Sequence, residues 1–129
     1  MLEFMVAATD ATDFRFDADA LSAAAVAQWP GARIIHPTGR RATLVTCDIE
    51  LPATEPDFPD SEIRVLTGGD GMGLDSATHE EAARVLAWLA QVTPLPQDGS
   101  VVVIHWVSDF YPLRPGVTAG QLLRDAGTE

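Results

Sequence analysis

Residues 78–92 read Thr-His-Glu-Glu-Ala-Ala-Arg-Val-Leu-Ala-Trp-Leu-Ala-Gln-Val, and the fold class turns on them. Thr78 and Glu81 are spaced as a capping box, in which each side chain satisfies an orphan N–H of the first helical turn. Ala82, Val85, Leu86, Leu89 and Val92 then recur at helical spacing and make a single apolar stripe. Pro94 and Pro96 stop the helix, because neither can donate a backbone hydrogen bond. A helix that is apolar on one side only must be covered by another layer, so its neighbours decide the architecture.

On the C-terminal side, Ser100 to Ser108 carries the run Val101, Val102, Val103, Ile104, which predicts a central strand buried on both faces. On the N-terminal side, Gly68, Gly69, Asp70 and Gly71 tolerate positive φ, so Ile63–Leu66 and Met72–Asp75 are expected to form a hairpin. Val45, Cys47, Ile49 and Leu51 alternate with Leu44, Thr46, Asp48 and Glu50 in a further strand, preceded by a short one over 32–36. Residues 52–61 hold three prolines and three acids and read as an exposed loop.

Farther out, Leu2, Phe4 and Val6 alternate as an N-terminal strand. Asp17 caps a helix in which Phe16 staples to Leu21 and Leu21, Ala25 and Trp29 share a face, until Pro30 and Gly31 end it. Residues 109–115 read as a loop, and Thr118 with Gln121 opens a short terminal helix through Leu122 and Leu123 that stops at Gly127.

The element order is β α β β β β α β α. It predicts one α+β domain over 1–129: a five- or six-stranded, mostly antiparallel sheet with two main helices on one face and a short C-terminal helix. The layout resembles a ferredoxin-like variant with an extra hairpin, a likeness of topology that carries no function.

Composition agrees with one core. The chain has 129 residues, 47% hydrophobic and 21% charged, enough apolar matter to fold as one unit. Nineteen acids against eight bases give a net charge of −11, which disfavours nucleic acid and anionic membranes as partners. All the bases are Arg, as coding bias or adaptation to salt would also produce. Cys47 is the only cysteine, so a disulfide within the chain is excluded and a reducing, cytoplasmic setting is expected. Met1-Leu2-Glu3 lacks a basic leader, and the Ala23–Ala27 run is far too short for a membrane span.

Catalytic signatures are missing. The glycines from Gly68 to Gly73 have neither dinucleotide-loop nor P-loop spacing, and Asp70 and Asp75 lack the alternating acids of a calcium loop. His36, His79 and His105 lie on separate elements without metal-ligand spacing, so neither metal nor cofactor is expected. His79, opening a helix, reads as a surface residue. His105, interrupting an apolar strand, reads as a hydrogen-bonded core or sheet-face histidine. Ser108 and Asp109 beside it do not form a triad signature, and Cys47, in the inward register, reads as a small buried hydrophobe.

The electrostatic signal is stronger. Asp48, Glu50, Glu55, Asp57, Asp60 and Glu62 follow one another without a base, and Phe58 sits among them. An acidic rim around an exposed aromatic steers and then anchors a basic protein. The leading expectation is therefore a non-enzymatic binding protein for a basic partner, such as an inhibitor or a toxin-immunity protein. The competing account is a solvated face with Phe58 folded onto the core. A different class, a small enzyme or ligand-binding domain, would place His105, Asp109, Tyr111 and Arg114 around a pocket at the end of the central strand. There the competing account has Trp106 and Tyr111 capping the core. A homodimer through a sheet edge is a third arrangement.

Overall fold

The computed structural model describes residues 1–53, 58–107 and 109–127. Its elements are β1 (Leu2–Ala8), α1 (Ala18–Gln28), β2 (Arg33–Ile35), β3 (Val45–Leu51), β4 (Ser61–Leu66), β5 (Gly71–Ser76), α2 (His79–Val92), β6 (Val101–Ile104), β7 (Tyr111–Pro112) and α3 (Ala119–Asp125), with a 3-10 turn at Gly39–Thr43. The strands form one seven-stranded sheet in the order β2-β3-β4-β5-β1-β6-β7. Each neighbouring pair is antiparallel.

The seventh strand is β7, which the sequence assigns to a loop. Its two residues pair with Val102 and Val103, and Pro112 is tolerated there because a sheet-edge strand leaves one side unpaired. The strand expected to run to Ser108 instead ends at Ile104. His105 takes φ +69, a left-handed conformation uncommon outside glycine, and this turns the chain out of the β6 ladder.

The helices begin where their caps dictate. Thr78 Oγ1 accepts the Glu81 N–H at 3.1 Å, Asp17 Oδ1 accepts the Ala20 N–H at 3.1 Å, and Thr118 Oγ1 accepts the Gln121 N–H at 3.1 Å. The expected stripe of α2 is buried through Ala82, Val85, Leu86 and Leu89, while Val92 at its end is 42% exposed. These side chains share one core with Phe4, Val6, Ile49, Ile63, Met72 and Leu74 of the sheet and with Leu21, Ala25 and Trp29 of the α1 segment. The Trp29 and Trp88 rings meet at 5.1 Å and join the end of α1 to α2.

The β4–β5 hairpin also fixes the entry to α1. Gly69 has φ +75, and a Cβ there would lie 2.5 Å from the Phe16 carbonyl oxygen. The Phe16 N–H donates to the Gly69 carbonyl at 2.6 Å. Only glycine permits this approach.

With the core on the helical face, alternation sends Glu3, Met5, Asp48, Glu50, Glu62, Arg64 and Asp75 to the opposite face of the sheet. Among the described residues, no helix is long and apolar enough to cross a membrane.

Candidate functional site: an acidic row on the outer sheet face

Antiparallel register sets four carboxylates side by side. Glu50 of β3 is opposite Glu62 of β4, Glu62 is opposite Asp75 of β5, and Asp75 is opposite Glu3 of β1. Arg33 of β2 ends the row opposite Glu50, with Nη1 3.5 Å from Glu50 Oε1. Like charges directly opposed across strands are destabilising.

The neighbouring row supplies partial compensation. It runs Ile35, Asp48, Arg64, Gly73, Met5, Ile104. Arg64 lies over Gly73, where a Cβ would come within 2.7 Å of Nη2, and its guanidinium donates through both Nη1 and Nη2 to the Asp75 carboxylate. Arg41, on the 3-10 turn, likewise donates through Nη1 and Nη2 to Asp48. Asp48 is only 5% exposed, so this guanidinium replaces the water it has lost.

Glu62 and Glu3 form no ion pair among the described residues. Burial pushes the Glu62 carboxyl above the usual carboxylate range; Asp48, Asp75 and Glu50 add to the rise, and Arg64 opposes it. Beside Glu62 a cleft of about 510 Å³ opens at the end of the sheet, lined by Arg33, Glu50, Asp60, Ser61 and Glu62 among others. A guanidinium or ammonium entering here would convert repulsion between carboxylates into charge-assisted hydrogen bonds.

Of the acids expected to act together, Glu50, Asp60 and Glu62 line this cleft. Asp48 lies one row away beneath Arg41. Glu55 and Asp57 fall outside the described residues. Phe58 corrects the expectation of an exposed aromatic: it is 7% exposed and belongs to the core. A Cβ on Gly31 would lie 3.0 Å from the Phe58 Cζ, so the missing side chain at Gly31 makes room for the ring.

Glu3 and Asp75 also belong to this surface, though they lie far from Glu62 in sequence. Each occupies an outward position on its own strand, and only strand order brings them beside Glu62.

Of the alternative pocket residues, the structure brings Tyr111 and Arg114 together. His105 is exposed beyond the end of β6, not part of the core or of the sheet. Asp109 and Arg114 are also exposed, and Tyr111 is half-buried. Tyr111 and Arg114 line a depression of about 240 Å³ with Pro112 and Gln121, to which His105 and Asp109 do not contribute. The Tyr111 hydroxyl donates to Asp125 Oδ2 at 2.5 Å. Burial, with that hydrogen bond and the Asp125 charge, pushes its pKa up to about 12, which makes it a poor proton acceptor at neutral pH.

The other reactive side chains are tied into packing. Cys47 is fully buried, and burial pushes its thiol up, away from the nucleophilic thiolate. His79 is half-buried, with its ring 5.9 Å from Phe4 and 5.5 Å from Trp106, rather than lying free on the surface. Among the described residues, no group of three His, Cys, Asp or Glu side chains is placed to hold a metal ion.

A third concavity, of about 490 Å³, lies on the helical side, lined by Trp29, Arg84, Ala87, Trp88, Val117 and Thr118 among others. The Trp88 Nε1–H is buried without a hydrogen-bond partner among the described residues.

No family model, curated protein or solved structure matches the chain.

Proposed function

We propose that this chain is a non-enzymatic binding protein that engages a basic protein partner through the outer face of its sheet, in the manner of an inhibitor or immunity protein covering a cationic site. The observation that carries the reading is the unbroken row Glu50, Glu62, Asp75, Glu3 on four adjacent strands. The fold gains nothing from opposing these charges. Although Arg64 compensates Asp75 and Arg33 lies near Glu50, a cationic partner gains from Glu62 and Glu3, which form no ion pair among the described residues. The net charge of −11 extends the attraction to the encounter stage.

The βαββαβ core, formed by β1, α1, β4, β5, α2 and β6 with strand order β4-β5-β1-β6, reads as ferredoxin-like with the β2–β3 hairpin inserted. That topology presents the sheet face and leaves its use to the side chains. One buried thiol suits a reducing, cytoplasmic setting. The ligand-binding alternative keeps one point in its favour, the depression shared by Tyr111 and Arg114. A homodimer closed face to face would set like-charged rows against each other.

The test is equilibrium titration with octa-arginine, a cationic probe without apolar side chains. Glu3→Gln, Glu50→Gln and Glu62→Gln combined should weaken binding far more than Asp10→Asn, Asp13→Asn and Glu80→Gln combined, which remove the same charge elsewhere. Equal losses would reduce the row to bulk charge and reject the reading.

A further inference from the structure

The acidic row explains attraction but supplies no apolar anchor, and the buried Phe58 is not available as one. Two other large apolar side chains are exposed on the turn between β6 and β7: Phe110 at 66% and Val107 at 51%. Asp109, also exposed, precedes Phe110. Ser108 lies outside the described residues and plays no part in the argument.

Both flanks of this turn are fixed. On the β6 side, His105 makes the left-handed bend at φ +69. Trp106 is then 5% exposed, its Nε1–H donates to the Leu122 carbonyl at 3.0 Å, and its ring lies 5.1 Å from Phe4. On the β7 side, Tyr111 donates to Asp125 at 2.5 Å, and the N–H of fully buried Leu113 donates to the Val101 carbonyl at 2.9 Å. Val107 follows buried Trp106 and Phe110 precedes the hydrogen-bonded Tyr111, so each exposed apolar side chain adjoins an anchored residue, which lowers the ordering cost of association.

The turn also lies at the end of the acidic row. Ile104 pairs with Met5 of β1, and Glu3 is the next residue along β1 on that outer face. We infer that Val107 and Phe110 are the apolar anchor by which this chain holds a basic protein, entering an apolar recess bordered by the partner's cations while the row from Glu3 to Glu50 faces those cations. The inference rests on the proposed function and adds its anchor. Charge complementarity selects the occupant: Asp109 and the row favour a cationic surface, and a second copy would bring a like-charged row to the same place.

Two peptide probes separate the terms: octa-arginine, and (Arg-Trp)4, which adds apolar rings to the cations. Phe110→Ala and Val107→Ala combined should lower affinity for (Arg-Trp)4 by at least about tenfold, the scale of an aromatic anchor, and leave octa-arginine binding and the melting temperature unchanged. Leu44→Ala, at a site 68% exposed outside the turn, should change neither. If the double variant binds (Arg-Trp)4 as the parent does, while Glu3→Gln, Glu50→Gln and Glu62→Gln combined weaken both peptides, the anchor is wrong and the acidic surface stands. If those charge substitutions affect neither peptide, the underlying reading falls as well. Concentration-dependent sedimentation of the free chain that disappears in Phe110→Ala would assign the turn to a second copy and overturn the proposal.

Discussion

Glu62 stands directly opposite Asp75 across the β4–β5 pair, and Glu50 flanks it on the other side. Burial first, and Asp48, Asp75 and Glu50 with it, raise the Glu62 carboxyl, so the folded chain holds that proton more tightly than the unfolded chain. Its contribution to stability is fully present below the unfolded pKa of about 4.3 and is lost as pH rises through the higher folded value. Glu62→Gln should therefore stabilise the protein at pH 7, by at most a few tenths of a kcal/mol because solvent screens this partly exposed carboxylate, with the gain shrinking towards pH 4. Denaturant midpoints at the two pH values check this, and a gain independent of pH would place the effect outside ionisation.

Asp48 makes the opposite case, a carboxylate that needs its neighbour. Its side chain is 7% exposed against 47% for Arg41. Arg41→Ala should lower the denaturant midpoint, because it leaves a buried charged acceptor unsatisfied, and Asp48→Asn in the same chain should recover much of the loss. Simple additivity in the double-mutant cycle would mean that the pair does not couple.

Local signals carried much of this fold. Thr78 and Glu81, Asp17, and Thr118 and Gln121 mark helix starts through contacts within three residues, and period-two alternation marks β1 and β3. Long-range relationships were harder to read. β7 is two residues long, below the length at which alternation can be recognised, and His105 turns the chain where residue type alone suggested continuation. The same limit applies to the candidate site. Glu50, Asp60 and Glu62 are close in sequence and visibly acidic, whereas Glu3 and Asp75 join them only through strand order. Phe58 misleads because a ring among acids and prolines reads as exposed unless the space over Gly31 is known.

Phe58→Ala now becomes a stability experiment. Truncating a ring that is 7% exposed should cost about 3–5 kcal/mol and leave octa-arginine affinity of the folded protein unchanged. Chemical denaturation paired with titration at a temperature where the variant is folded checks both parts, and a near-neutral stability with weakened binding would return Phe58 to the interface.

Leu89→Ala tests the helix on which the fold class rests. Leu89 is fully buried, so the loss should be about 2–5 kcal/mol. A change below about 0.5 kcal/mol, typical of surface sites, would mean that α2 presents another face to the sheet.

The central claim is that the row from Glu50 to Glu3 meets a cation, and the most direct measurement is the association rate of octa-arginine by stopped flow across salt concentrations. Rim charges act mainly on encounter, and screening shortens their reach to about 3 Å at 1 M salt. Glu50→Gln and Glu62→Gln combined should lower the association rate severalfold at low salt and leave dissociation nearly unchanged, with parent and variant converging at high salt. An association rate that neither salt nor these substitutions alter would contradict the claim.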